Sequence, residues 1–164
     1  MQERLFDFFA SFGMSPKALI LLLGALPVTE LRAAIPIGIL VLKQGVKSVF
    51  FFSVLGNILP IAPVYFLLDP VSKKLSNTRF MRNFFDWIYK RARAHAEIVE
   101  RYETLGLMLF VAVPLPGTGA WTGAVIASLL RMRFIPAFLA VSLGVVIAAV
   151  IVTVIVLIGK LSFH

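Results

Sequence analysis

Long apolar stretches separated by short polar ones run through most of the chain. Four such segments occur: Ala18–Leu42, Ser48–Leu68, Leu105–Leu130 and Phe134–Gly159. The second and fourth carry no charge and are long enough to cross the ~30 Å hydrocarbon core of a bilayer once, so we expect a spanning helix in each. Prolines within them, Pro60, Pro63 and Pro136, are expected to kink these helices or to mark their ends.

The first and third segments are interrupted. The first contains "PVTELRAAIP" at residues 27–36, and the third contains "PLPGTG" at residues 114–119. Each arm of the first reaches only ~15 Å at 1.5 Å per residue, about half a membrane. Two half-length arms joined by irregular backbone fit a re-entrant hairpin, which is tolerated where it is buried in protein or lines water. For residues 18–42 a single kinked spanning helix, with its charges facing a partner, is the alternative.

Composition places the chain in the membrane. Sixty per cent of the 164 residues are hydrophobic, which predicts an integral membrane protein. The net charge of +8 comes from basic residues clustered between apolar segments, a pattern of membrane orientation and contact with anionic lipid. We therefore expect membrane lipids as partners and no nucleic acid. The chain has no cysteine, which excludes disulfides and thiolate metal sites.

Two polar stretches predict helices on the membrane surface. Residues 1–15 carry an apolar stripe at helical spacing, which indicates an interfacial helix, and Ser15-Pro16 is typical of the cap and first residue of the next helix. Residues 69–104 are rich in Lys and Arg, with aromatic residues at helical spacing, and predict a surface amphipathic helix. The positive-inside rule places that helix on the cytoplasmic side, with both termini outside.

The order of these elements predicts an inverted repeat within a single membrane domain, 1–164. Residues 16–68 and 105–160 each combine a hairpin with a spanning helix. Aligned residue pairs support the relation: Pro27 with Pro116, Thr29 with Thr118, Arg32 with Trp121, Leu55-Gly56 with Leu143-Gly144, and Lys43 within one residue of Arg131. Paired interrupted segments in two halves point to a transporter-like site at the membrane midplane. The predicted fold is therefore all-α.

The residues at the two breaks predict an anion site. Thr29 and Thr118 are candidate N-caps for the second arm of each hairpin. Gly117 and Gly119 allow a ligand to approach the main chain. Two helix N-termini and Arg32 would bring positive potential to one place, so we expect an anionic substrate there.

Glu30 is the only acid in either hairpin segment. An ionisable residue at membrane depth is costly and suggests a function. Glu30 is either a proton carrier or a structural counter-charge for Arg32. Glu30 and Arg32 can pair directly only if the backbone is unwound, because side chains two residues apart diverge on a helix. Trp121 either forms a wall of the site or simply packs against neighbouring side chains. Pro36 and Pro116 contribute to the shape of the breaks.

At these residues the chain resembles a known family. "ELRAAIP" followed by "PLPGTGAWTG" is similar to the small multi-drug export proteins, which belong with the DedA/VTT superfamily. The resemblance implies two re-entrant hairpins and, for the wider superfamily, movement of lipids such as undecaprenyl phosphate coupled to protons. The DedA pattern carries an acid and an arginine in its second hairpin region, and "PLPGTGAW" has neither.

We therefore expect a transporter rather than an enzyme. Neither histidine has metal-ligand spacing, neither glycine-rich break is a phosphate loop, and no cofactor or metal is expected. The leading prediction is proton-coupled translocation of an anionic, phosphate-bearing lipid. A cation or drug exporter and a non-transporting membrane organiser are the alternatives. A homo-oligomer is left open.

Overall fold

The computed structural model describes residues 14–67, 83, 86, 90, 103–115 and 117–162. These residues form helices and connecting turns, and no strand occurs among them, so the all-α prediction is confirmed for this part of the chain. Some predictions fall outside the described residues. These are the interfacial helix of residues 1–15 except for its last two residues, nearly all of the surface helix of residues 69–104, and Pro116.

Six helices account for most of the described chain. They are α1 (Pro16–Ala25), α2 (Glu30–Pro36, extended by a π-helical segment, Ile37–Val41), α3 (Val46–Ile58, followed by a turn at 59–60 and helix 61–67), α4 (Glu103–Ala112), α5 (Ala120–Leu129) and α6 (Phe134–Ser162). Among the described residues, two stretches are long and apolar enough to cross a membrane, Val46–Leu67 and α6. They coincide with the two predicted spanning segments, and Pro60 lies at the turn, as expected.

The chain divides into two compact units. The first contains the residues up to Ile58 together with those from Val146 onward, and the second runs from Leu59 to Val145. The first unit therefore holds the break around Glu30, and the second holds the break around Gly117.

In the first unit the chain folds back on itself between α1 and α2. Ser15 caps α1 by accepting a hydrogen bond from the backbone N–H of Ala18 at 3.2 Å, with Pro16 at the first helical position, as predicted. A Cβ atom on Gly38 would lie 3.2 Å from Cδ1 of Ile20. In one straight helix these residues would be roughly 27 Å apart, at 1.5 Å per residue. The two arms therefore form a helical hairpin; its re-entry through one membrane face stays a prediction.

The second unit contains a corresponding hairpin, formed by α4 and α5. A Cβ atom on Gly123 would lie 3.7 Å from Cδ1 of Leu107, although 16 positions separate the two residues. Helix 61–67 is tied to the end of this hairpin, since the Tyr65 hydroxyl donates to the carbonyl of Met132 and the Ser128 hydroxyl donates to the carbonyl of Tyr65 at 3.0 Å. These bonds satisfy carbonyl groups where the helices end.

Glycine allows a close helix contact in each unit. A Cβ atom on Gly56 of α3 would overlap the backbone carbonyl of Leu21 in α1. A Cβ atom on Gly144 of α6 would lie 2.7 Å from the carbonyl oxygen of Met108 in α4. These are the two glycines paired in the sequence alignment. Small residues at such contacts let helix backbones approach closely, a common way of packing helices in membranes.

Both hairpins end on a basic residue in the left-handed conformation. Lys43 follows the π-helical segment with φ of 51°, and Arg131 follows α5 with the same φ of 51°. The residues before them, Leu42 and Leu130, are the C-caps of these arms and have nearly equal angles. A left-handed residue after the C-cap is a common way to end a helix. The same terminator therefore recurs in the two units, 88 positions apart.

Pro36 does not end the second arm of the first hairpin. It lies inside α2, and the hydrogen-bond register changes directly after it, so that the N–H of Leu42 donates to the carbonyl of Ile37 at 2.9 Å. Proline lacks an N–H and crowds the carbonyl four residues earlier. A π-helical turn is one way for a helix to absorb such a disturbance.

We expect Gly56→Ala and Gly144→Ala to destabilise the protein, because each added methyl group meets a backbone carbonyl that cannot rotate away. Overpacking of this kind typically costs about 1–3 kcal/mol. Gly159→Ala is the matched control, since Gly159 is also in a helix and has nothing within 4 Å of its Cβ position. The measurement is the midpoint of thermal unfolding in detergent; equal midpoints for all three variants would contradict the packing described.

We expect single cysteines at Lys17 and Lys43 to be labelled from one face of the membrane, and those at Glu103 and Arg131 from the other. The reason is that each hairpin of half-length arms returns to the face it entered. Accessibility to a membrane-impermeant maleimide on either side of sealed vesicles is the measurement, and the natural chain adds no background because it has no cysteine. Labelling of positions 17 and 43 from opposite faces would make residues 18–42 an ordinary spanning segment.

Candidate functional site

The break in the first hairpin is a tight turn in which the backbone remains hydrogen-bonded. Pro27 to Thr29 form the turn after α1. The N–H of Leu26 donates to the carbonyl of Leu22 at 3.2 Å, and the N–H of Glu30 donates to the carbonyl of Leu26 at 3.1 Å. Backbone groups left unpaired at membrane depth cost several kcal/mol each, and these bonds avoid part of that cost.

Glu30 begins α2 with an unusual backbone conformation. Its φ is 49°, in the left-handed region that non-glycine residues rarely adopt. Only 4% of the surface of Glu30 is exposed. Such a conformation costs on the order of 1–3 kcal/mol and is typically found at functional sites, where surrounding structure maintains it.

Glu30 and Arg32 form an ion pair. Their atoms Oε2 and Nη1 are 3.5 Å apart, with the side chains 5% and 23% exposed, respectively. Side chains two positions apart diverge on a regular helix, so this pairing depends on the left-handed Glu30. The condition stated from the sequence, an unwound backbone at this position, is thus met.

Thr29 occupies the N-cap position of α2 as predicted, but its side chain does not cap that helix. The hydroxyl instead donates to the carbonyl of Leu23 at 2.5 Å, in the last turn of α1. The prediction of a capping hydrogen bond is therefore wrong. The reason is local: the last carbonyls of α1 need donors as much as the first N–H groups of α2 need acceptors, and the turn places Thr29 within reach of the former.

The second break uses a threonine in the same way. The Thr118 hydroxyl donates to the carbonyl of Val113 at 2.5 Å and to that of Leu115 at 2.9 Å. The N-cap of α5 is Gly119, one residue later than predicted. Gly117 has φ of 99°, which is why glycine is needed there. In both breaks a threonine hydroxyl thus donates a hydrogen bond to a backbone carbonyl at the end of the first arm.

The two breaks differ in charge. Glu30 and Arg32 lie in the first, whereas Gly117, Thr118 and Gly119 are buried in the second, and Trp121 is half-buried in α5. No charged residue occurs between Thr104 and Leu130. The structure therefore brings together Thr29, Glu30 and Arg32 in one unit, with Pro36 further along α2, and residues 117–121 in the other. A shared midplane site stays a prediction.

Sequence reasoning missed two polar residues in the first spanning helix. Ser53 and Asn57 are fully buried on α3, and neither Ser53 Oγ nor Asn57 Oδ1 has a hydrogen-bond partner in the described part of the chain. A Cβ atom on Gly24 of α1 would lie 2.8 Å from the backbone carbonyl oxygen of Ser53 and 3.5 Å from the backbone nitrogen of Asn57. The signal available was their spacing of four residues, which places them on one helix face.

The described residues contain no group of three or more His, Cys, Asp or Glu that could hold a metal ion. The side-chain groups at the two breaks are the carboxylate of Glu30, the guanidinium of Arg32 and the hydroxyl groups of Thr29 and Thr118.

We expect Glu30→Gln to destabilise the protein, because it removes the counter-charge of a largely buried guanidinium. Breaking a fully buried pair costs about 3–5 kcal/mol. The loss should be smaller here, since Arg32 keeps some access, and Glu30→Gln/Arg32→Gln should recover most of it. Glu103→Gln is the matched control, because Glu103 is exposed and has nearly the same φ of 48°. Unfolding midpoints that are equal for all variants would show that the pair carries no structural role.

A family model described as "Putative small multi-drug export protein" matches residues 30–151. The match covers well over half of the chain and begins at Glu30, so it includes the ion pair, the second break and most of α6. No match was found among curated proteins or among solved structures. The two apolar helices agree with a membrane location. By this match, the chain belongs to the small multi-drug export family of membrane proteins.

Proposed function

We propose that the protein translocates an anionic, phosphate-bearing lipid across the membrane, coupled to protons, through the break that holds Glu30 and Arg32. The observation that carries the proposal is the ion pair between buried Glu30 and half-buried Arg32 in the middle of an apolar segment. Charged residues at such a depth are costly and typically mark substrate paths or proton relays. The family description, a membrane export protein, agrees with transport.

The geometry of the pair suits exchange. The distance of 3.5 Å between Arg32 Nη1 and Glu30 Oε2 exceeds the 2.7–2.9 Å of a tight charge-assisted hydrogen bond. A guanidinium offers several donors in a planar fork that fits phosphate oxygens. When Glu30 takes up a proton, Arg32 loses its counter-charge and a phosphate group replaces it. Proton uptake and phosphate binding are linked in this way.

The proposal includes an inverted repeat of two re-entrant hairpins, as in the DedA/VTT superfamily. Three features that recur in the two units support it: a glycine against the carbonyl of the first arm, a threonine hydroxyl returned to that arm, and a left-handed basic residue after the second arm. Hairpins that enter from opposite faces would bring both breaks near the bilayer midplane. The lipid tail remains in the bilayer, so a small chain needs no large aqueous cavity.

Export of a lipophilic cation is a second candidate. The buried carboxylate of Glu30 favours it, since a proton-exchanging acid is the usual counter-charge for a cationic substrate, and so does the family description. In this mechanism Arg32 would be displaced by the substrate. The two candidates predict opposite effects of removing Arg32, which separates them experimentally. A membrane-organising protein without transport would tolerate loss of both residues.

We expect Arg32→Lys to reduce flipping of an undecaprenyl-phosphate-like lipid in proteoliposomes, because the charge remains but the planar fork is lost. Arg32→Ala should reduce flipping more, by tenfold or beyond, and Glu30→Gln should remove its dependence on a pH gradient. Lys47→Gln is the matched control, since it removes a positive charge from an exposed position outside the break. The measurement is the fraction of labelled lipid reached by an external reagent over time.

Equal flipping by wild type and all Arg32 variants would overturn the lipid-phosphate mechanism. Uptake of a fluorescent lipophilic cation that survives Arg32→Ala and is lost in Glu30→Gln would establish the second candidate instead. No transport of either cargo by a correctly folded wild-type protein would favour the organiser.

A further inference from the structure

A groove in the first unit lies where two apolar segments end. It has a volume of about 700 Å³, within the ~300–1,000 Å³ range of ligand sites. Its walls come from the end of the first hairpin and from the last turns of α6. The polar lining residues are Lys43, Gln44 and Lys160, and the large apolar ones are Ile39, Leu40 and Val156.

Both lysines sit at the end of an apolar run. Residues 33–42 are uncharged up to Lys43, and residues 134–159 are uncharged up to Lys160. Lysines at such positions place the ammonium group at the membrane–water interface while the stem stays on apolar surface. Because the two lysines line one groove, we expect both runs to end at the same membrane face, with the mouth of the groove at the interface.

The apolar walls precede the charges along the chain. Val156 is four residues before Lys160 on α6, so these two share a helix face, and Ile39 lies in the π-helical segment that ends two residues before Lys43. Gly159 also lines the groove and has nothing within 4 Å of its Cβ position, which leaves the space beside it open. Leu40 is 44% exposed. The groove thus combines a positive rim with an apolar floor.

No negative charge from the described residues balances this rim. The acids described are Glu30, Asp86 and Glu103, and none of them lines the groove. Neither Lys43 nor Lys160 forms an ion pair within the described chain. The corresponding end of the second hairpin differs, because the cavity there holds Arg131 and Arg133 together with Glu103. The lysine groove is therefore the more strongly anion-seeking of the two.

We propose that this groove binds one anionic phospholipid, with the headgroup phosphate between Lys43 and Lys160 and an acyl chain along Ile39, Leu40 and Val156. The complementarity is in charge and in polarity, since ammonium groups face the headgroup region and aliphatic side chains face the hydrocarbon. The site is separate from the Glu30–Arg32 break and does not depend on transport. It acts as a fixed lipid position at the end of the first hairpin.

The test is a titration of the purified full-length chain with phosphatidylglycerol in detergent, followed by native mass spectrometry. Lys43→Gln/Lys160→Gln should weaken the tightest lipid-binding event by about twenty-fivefold, on the basis of about fivefold for each lysine near an anionic headgroup. Lys43→Arg/Lys160→Arg should keep it. Phosphatidylcholine should bind wild type and variants equally weakly, and millimolar inorganic phosphate should not displace phosphatidylglycerol, because it cannot use the apolar walls.

The matched control is Lys17→Gln/Lys47→Gln, which removes the same charge from exposed positions of the first unit that do not line the groove. This variant should bind phosphatidylglycerol as wild type does. If both Gln pairs weaken binding equally, phosphatidylglycerol is attracted by the overall surface charge and not by a site in the groove. If inorganic phosphate displaces phosphatidylglycerol, the groove is a phosphate site. If Lys43→Gln impairs folding, Lys160→Gln alone should still weaken binding about fivefold; no effect of that variant would overturn the proposal.

Discussion

The contact between a glycine and a backbone carbonyl is the constraint on which each unit depends. An arm of ten residues is too short to span a bilayer and gains little from lipid, so it must be fixed by a neighbouring helix. Gly56 lets α3 approach the carbonyl of Leu21, and Gly144 lets α6 approach that of Met108. Dispersion forces and exclusion of lipid at this distance replace the hydrophobic effect, which is weak between helices already in hydrocarbon. The spanning helices are therefore scaffolds for the broken segments.

The packing of these helices maintains the strained backbone conformation of Glu30. A left-handed glutamate with a buried carboxylate would relax in a free peptide, because both the backbone conformation and the burial are unfavourable. In the hairpin, the turn on one side and α2 on the other fix the backbone, and Arg32 supplies the opposite charge. The result is a charged group that the fold maintains in a conformation and an environment that are both unfavourable in a free peptide.

Much of this arrangement could be predicted from the sequence. Proline positions, half-length apolar arms and the Ser15-Pro16 start follow from rules that act within a few residues, and the structure agrees with them. The direction of the threonine bonds could not be predicted, because Thr29 and Thr118 have two sets of unpaired backbone groups within reach, and only the turn geometry selects the carbonyls. The burial of Ser53 and Asn57 was also missed, since an apolar run hides which face of a helix meets protein rather than lipid. The charged break itself was found because two ionisable residues in hydrocarbon are too costly to be accidental.

The π-helical segment Ile37–Val41 changes the angle around the helix axis between the residues before it and the residues after it. Each residue of an α-helix advances about 100° around the axis, and a π-helical turn takes up roughly one extra residue. The segment lies between Arg32, at the break, and Lys43, at the lysine groove. It therefore rotates one end of the arm against the other by about the angle of one residue. Because the extra residue is absorbed within this segment, loss of a single residue there would restore an α-helical turn and leave the two ends of the arm in their present angular relation.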